Sequence, residues 1–113
     1  MIEPTVIAYL DARLDVPVYG AVPSEPPASF VTVEKTGGRF NNRISAATVS
    51  VQSWAPSIAQ AAALNDQVKA AMAGITQLDR VSSCSLNTDY NFTDSTRKRC
   101  RYQAVFDVVY YED

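Results

Sequence analysis

The sequence predicts an α+β domain, an antiparallel β-sheet with long hairpins packed against two α-helices, in the order α-β-β-β-α-β-β. Three observations predict it. Two pairs of segments alternate apolar and polar residues with period two, each pair separated by a polar, basic stretch. Two other segments repeat apolar residues every three or four positions. At 113 residues the chain is long enough for one core without disulfide or metal support, so a single domain, 1–113, is expected.

The first helix is expected over residues 4–14. Pro4 suits a first helical turn, where its missing N–H has no partner to lose, and Val6, Ile7, Leu10 and Leu14 form one stripe. Val16-Pro17-Val18-Tyr19 reads as a short strand that Pro17 confines to an edge or a strand start. Pro23-Ser24-Glu25-Pro26-Pro27 is a stiff, extended connector. Residues 30–35 and 43–54 form the first hairpin. On its second strand Ala47, Val49 and Val51 face one way and Thr48, Ser50 and Gln52 the other, which marks a sheet with one covered face and one wet or partner-facing face. The tip is expected over residues 35–43, with Gly37-Gly38 supplying positive φ at the bend.

Residues 57–74 form the second helix. Ser57 and Gln60 make a capping box, Ala61, Leu64, Val68, Ala71, Met72 and Ile75 form the stripe, and Gly74 stops it. The second hairpin takes residues 82–92 and 99–111. Its first strand shows Cys84, Leu86, Tyr90 and Phe92 on one face. Its second shows Cys100, Tyr102, Ala104, Phe106, Val108 and Tyr110, a face long enough to fix the register. Its tip holds Arg97, Lys98 and Arg99.

Chemistry is sparse. The chain has no histidine, so the commonest general base and metal ligand is missing, and with it any Ser–His–Asp or Cys–His arrangement. Gly37-Gly38 lacks the lysine and following helix of a phosphate loop. Asp89 and Asp107 could face each other across the second hairpin, but they read as solvated surface residues. Cys84 and Cys100 read as buried small hydrophobes, with a cross-strand disulfide as the minor alternative. No cofactor, metal or catalytic residue is expected, and the chain is not expected to be an enzyme. The start Met1-Ile2-Glu3-Pro4 does not resemble a signal peptide, and no segment has the length of a spanning helix, so host cytoplasm is the expected site of synthesis. With a net charge of −2 the whole chain is not a nucleic-acid binder by charge. Lys35, Arg39, Phe40 and Arg43 at the first tip and Arg97, Lys98 and Arg99 at the second are the candidate interaction residues. The second group is expected to be exposed and to contact an acidic partner surface.

A resemblance adds to this reading. Glu3-Pro4-Thr5-Val6-Ile7 through Val16-Pro17-Val18-Tyr19-Gly20 is similar to tail terminator (tail completion) proteins of long-tailed bacteriophages and prophages. So are Pro26-Pro27-Ala28-Ser29-Phe30-Val31, Val33-Glu34-Lys35-Thr36-Gly37-Gly38 and Val51-Gln52-Ser53-Trp54-Ala55-Pro56-Ser57. Asp89-Tyr90-Asn91-Phe92-Thr93-Asp94 and Arg101-Tyr102-Gln103-Ala104-Val105-Phe106-Asp107 complete it. The resemblance runs in order along nearly the whole chain and is carried by the combination, not by any single motif. It implies a virion structural protein that caps the tail tube as a ring, usually a hexamer, ends tail polymerisation and joins the tail to the neck. The implied partners are further copies of the chain, the tail tube protein and a neck or head-completion protein, with genome DNA passing through the lumen without specific binding. The implied location is the tail–neck junction of the virion. A head–tail joining (neck) protein is the alternative, and a small ligand-binding domain a more distant one.

Overall fold

A computed structural model describes residues 2–41, 44–93 and 99–111, and only the backbone of Phe40 and Asn41. The element order is α1 (Glu3–Arg13), β1 (Val18–Tyr19), β2 (Phe30–Asn41), β3 (Ile44–Ala55), α2 (Ile58–Met72), β4 (Val81–Asn91) and β5 (Cys100–Tyr111). A single 3-10 turn, Ile75–Gln77, joins α2 to β4. The expected α+β order holds. The sheet itself is mixed, in the order β1-β2-β3-β5-β4, because β1 runs parallel to β2 while every other pairing is antiparallel. Pro17 leads into β1 at the sheet edge, and its carbonyl accepts from the Val31 N–H.

Both helices bury their apolar stripes against one face of the sheet. Val6, Tyr9 and Leu10 from the first helix, Ile2 at its N-cap, and Leu64, Val68 and Met72 from the second share one core with Val31, Val33, Val49, Val51, Ala104, Phe106 and Val108. Fully burying one such side chain contributes about 1.5–3 kcal/mol, which sets the strand register. Ser57 caps α2, its Oγ accepting from the Gln60 N–H at 3.2 Å. α2 ends at Met72, and Gly74 follows with an ordinary negative φ of −99°. A side chain at Gly74 would lie 3.1 Å from the Tyr9 hydroxyl, which donates to the Ala71 carbonyl at 2.6 Å. The glycine therefore makes room for a tie between the helices; it does not supply a left-handed stop.

The first hairpin is longer than expected. Residues 35–41 continue β2 and pair with β3 as far as Asn41 opposite Ile44. A bulge between Lys35 and Gly37 absorbs the extra residue, and neither Gly37 nor Gly38 takes a left-handed φ. The register places Ile44 opposite Tyr111 and Ala55 opposite Cys100. The connections 42–43 and 92–99 thus leave from opposite ends of the sheet, in a molecule whose principal extents are 44 × 24 × 24 Å.

Candidate interaction surface

The opposite face of the sheet takes no part in the core cluster and carries no helix among the described residues. It is not simply wet. A row of side chains crosses β4, β5, β3 and β2 through the cross-strand pairs Tyr90–Gln103, Gln103–Gln52 and Gln52–Thr32. Gln103 Nε2 donates to the Tyr90 hydroxyl at 2.6 Å, and Gln52 Nε2 donates to Gln103 Oε1 at 2.6 Å. Thr32 Oγ1 donates to Gln52 Oε1 at 2.7 Å, and Trp54 Nε1 donates to Thr32 Oγ1 at 3.1 Å. Thr32, Gln52 and Gln103 are buried, so each bond stands where an orphaned polar group would cost about 1–3 kcal/mol.

Beside this row lies an aromatic and arginine column. Phe30 and Trp54 stack at 5.4 Å with planes 6° apart, and Tyr19 meets the Phe30 ring edge-on at 6.1 Å. The Arg101 guanidinium sits 4.6 Å from the Trp54 ring centre and 4.2 Å from that of Phe92. Phe92 meets Tyr90 edge-on at 5.6 Å. The helix-free face is therefore aromatic at the β4–β5 hairpin end and self-bonded in the next row, one step in from that end. Its far end is concave and sets Arg39 among apolar side chains. The rows Arg39–Ala46–Val109 and Ile44–Tyr111 lie there. Arg39, Ile44, Ala46 and Val109 line a hollow of about 370 Å³.

The expected interaction residues divide. Lys35 and Arg39 are exposed, but they belong to β2 and not to a loop, with Arg39 opposite Ala46 on the helix-free face. Phe40 pairs opposite Ser45 through its backbone. Arg43, Arg97 and Lys98 lie outside the described residues. Arg99 departs from the expectation of an exposed contact. Its side chain is half-buried, with Nη1 donating to the Pro27 carbonyl at 2.7 Å and to that of Ala28 at 3.3 Å, and Nη2 donating to that of Pro26 at 3.3 Å. Its guanidinium also lies 5.8 Å from the Phe30 ring centre. A rigid fork facing a proline-rich turn finds carbonyls with few competing donors, which is why this arginine serves the fold.

A second bulge, between Leu86 and Thr88, reverses the alternation of β4. Tyr90 and Phe92 consequently leave the face of Cys84 and Leu86 and join the helix-free face. Asp89 moves the other way, opposite Ala104 and under α2, where it accepts from Lys69 Nζ at 2.8 Å and Asn65 Nδ2 at 2.9 Å. The hydrogen bond from Lys69 is the main cause holding the Asp89 carboxyl below its ordinary value, and the same bond raises Lys69. Asp107 stays opposite Ser85 and accepts from Asn87, so the two aspartates cannot form a catalytic pair. Cys84 and Cys100 are both free. Cys84 lies opposite Val108, eight residues along β5 from Cys100, or about 26 Å. That distance excludes a disulfide within one chain. Burial pushes the Cys84 thiol up to about 11, with the charge of Asp107 as a smaller cause.

The sequence reading missed Tyr90, Phe92, Gln103, Trp54 and Arg101 as surface-forming residues. The Thr48, Ser50 and Gln52 alternation had marked the right face. Asn87, a residue disfavoured inside strands, was the available sign of a bulge.

No protein-family model matches the chain, and no curated protein is similar to it at a significant level. Among solved structures, a chain described as "Virion of native gene transfer agent (GTA) particle" aligns with 95% of this chain and 84% of its own length. The identity is 16% and the TM-score 0.48. A likeness this distant leaves fold and role to be argued from the chain's own residues.

Proposed function

We propose that the protein is a virion structural subunit that closes into a ring, a hexamer, on the finished tail tube of a long-tailed phage. There it ends tube polymerisation and joins the tail to the neck. The observation that carries this reading is the elongated, two-faced build of the subunit. Helices cover one sheet face, the other carries no helix among the described residues, and the β2–β3 and β4–β5 pairs end at opposite ends of a 44 Å molecule. Such a subunit can touch a neighbour on each side and a different partner at each end.

Both sheet edges support ring formation. β1 covers only the first residues of β2, pairing Val18 with Val31 and Tyr19 with Thr32, so β2 beyond Thr32 has no outer partner strand among the described residues. β4 is the other edge. Unpaired edges present backbone donors and acceptors that another chain can take up. Two unlike edges make a heterologous contact, which closes into a ring when the rotation per copy divides a full turn. The resemblance of the sequence to tail terminators supplies the place and the stop function.

Cryo-electron microscopy of particles carrying the protein tests the reading. A six-fold layer with this fold between tail tube and neck is expected. Density for it inside the head–neck connector favours the joining-protein reading, and absence from the particle refutes both.

A further inference from the structure

We infer that residues 20–29 are a strap, a segment that opens from the sheet as a unit, with Arg99 as its latch and the Phe30–Trp54 stack as the surface it uncovers. Phe30 and Trp54 pair opposite each other on the face that carries no helix among the described residues, and neither belongs to the helix-covered core. Yet Phe30 is 0% exposed and Trp54 3%. Their cover is therefore not a helix. It is Tyr19 edge-on to Phe30, Arg99 over Phe30, Arg101 over Trp54, and the connector whose carbonyls Arg99 holds. Within that connector Pro23, Pro26, Pro27 and Ser29 are half-buried, while Val22, Ser24 and Glu25 are exposed.

The connector is fastened at very few points. Among the described residues, no backbone hydrogen bond ties 20–29 to another part of the chain; the bond from the Val31 N–H to the Pro17 carbonyl lies outside it. Pro23, Pro26 and Pro27 have no N–H to offer. The side-chain hydrogen bonds that reach the connector are those of the Arg99 guanidinium, to the carbonyls of Pro26, Pro27 and Ala28. When the guanidinium leaves, water can take up those carbonyls, so nothing polar is left orphaned. Opening also spares the main core, which lies on the other side of the sheet. A segment with few buried contacts and no sheltered backbone bonds opens at a lower free energy than the whole domain.

The latch joins two segments far apart in sequence. Arg99 stands immediately before β5, at the base of the second hairpin connection. Phe30 follows the connector directly and opens β2. A displacement at the hairpin base is thereby passed to the connector and to the aromatic stack beneath it. The stack itself is braced from within, because Trp54 Nε1 donates to Thr32 Oγ1 at the end of the bonded glutamine row. The strap is the part that gives. Once uncovered, Phe30 and Trp54 join the exposed Phe92, which shares Arg101 with Trp54, in one aromatic surface. The strap works within a single chain and does not need the ring.

Trp54 is the chain's single tryptophan, so its fluorescence reads the strap directly. Acrylamide quenching of Trp54 is measured beside alkylation of Cys84, mapped by mass. Cys84 packs against the main core, beside Met72 and Phe106, and reports that core instead. In wild-type protein, low urea should raise the quenching before Cys84 alkylates faster, since a local opening exposes little surface. Without urea, Arg99→Ala should raise the quenching constant about twofold or more, with Cys84 alkylation unchanged. Arg99→Lys should fall between the two, and takes the place of the alanine variant if that does not fold. Arg39→Ala removes an arginine at the other end of the same face and should match wild type. Three results would each overturn the strap: wild-type quenching in the Arg99 variants, an equal rise in Arg39→Ala, or Trp54 and Cys84 opening together in urea.

Discussion

Replacing Arg99 with alanine should destabilise the isolated domain, although the residue sits at the base of a basic hairpin connection. Its guanidinium spans three carbonyls, those of Pro26, Pro27 and Ala28, at 2.7–3.3 Å, and faces the Phe30 ring. A hydrogen bond to a charged group contributes about 1.5–3 kcal/mol when well sheltered. Here two contacts are long and the site is only half-buried, so the total should stay within that range, near 2 kcal/mol. For a chain of this length that is a fall of roughly 8 °C in Tm, taking about 4 °C per kcal/mol. Lysine should recover less than half of the loss, since one ammonium cannot span the same carbonyls as a fork. Differential scanning calorimetry of the two Arg99 variants beside an Arg97→Ser/Lys98→Ser double variant is the assay. An Arg99→Ala midpoint within about 1 °C of wild type would show that the latch holds nothing and restore the arginine to the surface.

Other expectations follow from the same geometry. Gln52→Leu should cost about 1–3 kcal/mol in denaturant titration, because it strips partners from both Thr32 and Gln103 in a buried row; a neutral result would mean that water replaces them. Asp89 has a folded pKa below its unfolded one, so its link to Lys69 contributes stability above the ordinary carboxylate pKa of about 3.9 and loses it as pH falls through the lower folded value. The raised Lys69 contributes below about 10.4 and loses it as pH rises further. Asp89→Asn should therefore lower Tm at pH 7, and its gap from wild type should shrink below pH 4; an equal gap at both pH values contradicts the pairing. Cys84, with its thiol pushed up to about 11, should alkylate at pH 8 more slowly than glutathione, and intact mass should show two free thiols per chain.

The fold was legible because its two periods are unambiguous. The alternation from Cys100 to Tyr110 and the stripe from Ala61 to Met72 each bury one face, and no other element type satisfies them. What escaped was local. The Lys35–Gly37 and Leu86–Thr88 bulges each insert one residue, and a period-two pattern read through an unseen bulge assigns every later side chain to the wrong face. That is why Tyr90 and Phe92 read as core and Asp89 as surface. Gly37-Gly38 read as a turn by composition, whereas pairing to β3 kept the chain extended. Arg99 read as part of a charge run because sequence does not show that the proline-rich connector brings its carbonyls to the hairpin base.

The central claim is that this subunit ends the growth of a tail tube. Tube addition leaves an identical growing end after each ring, so length control at that end needs a cap with a different outer face. The most direct measurement is the tail-length distribution, by electron microscopy, of a phage or prophage carrying this gene deleted and then restored. The account predicts tails of uncontrolled length without heads in the deletion and uniform, headed tails on restoration. Uniform tails of normal length in the deletion would contradict it.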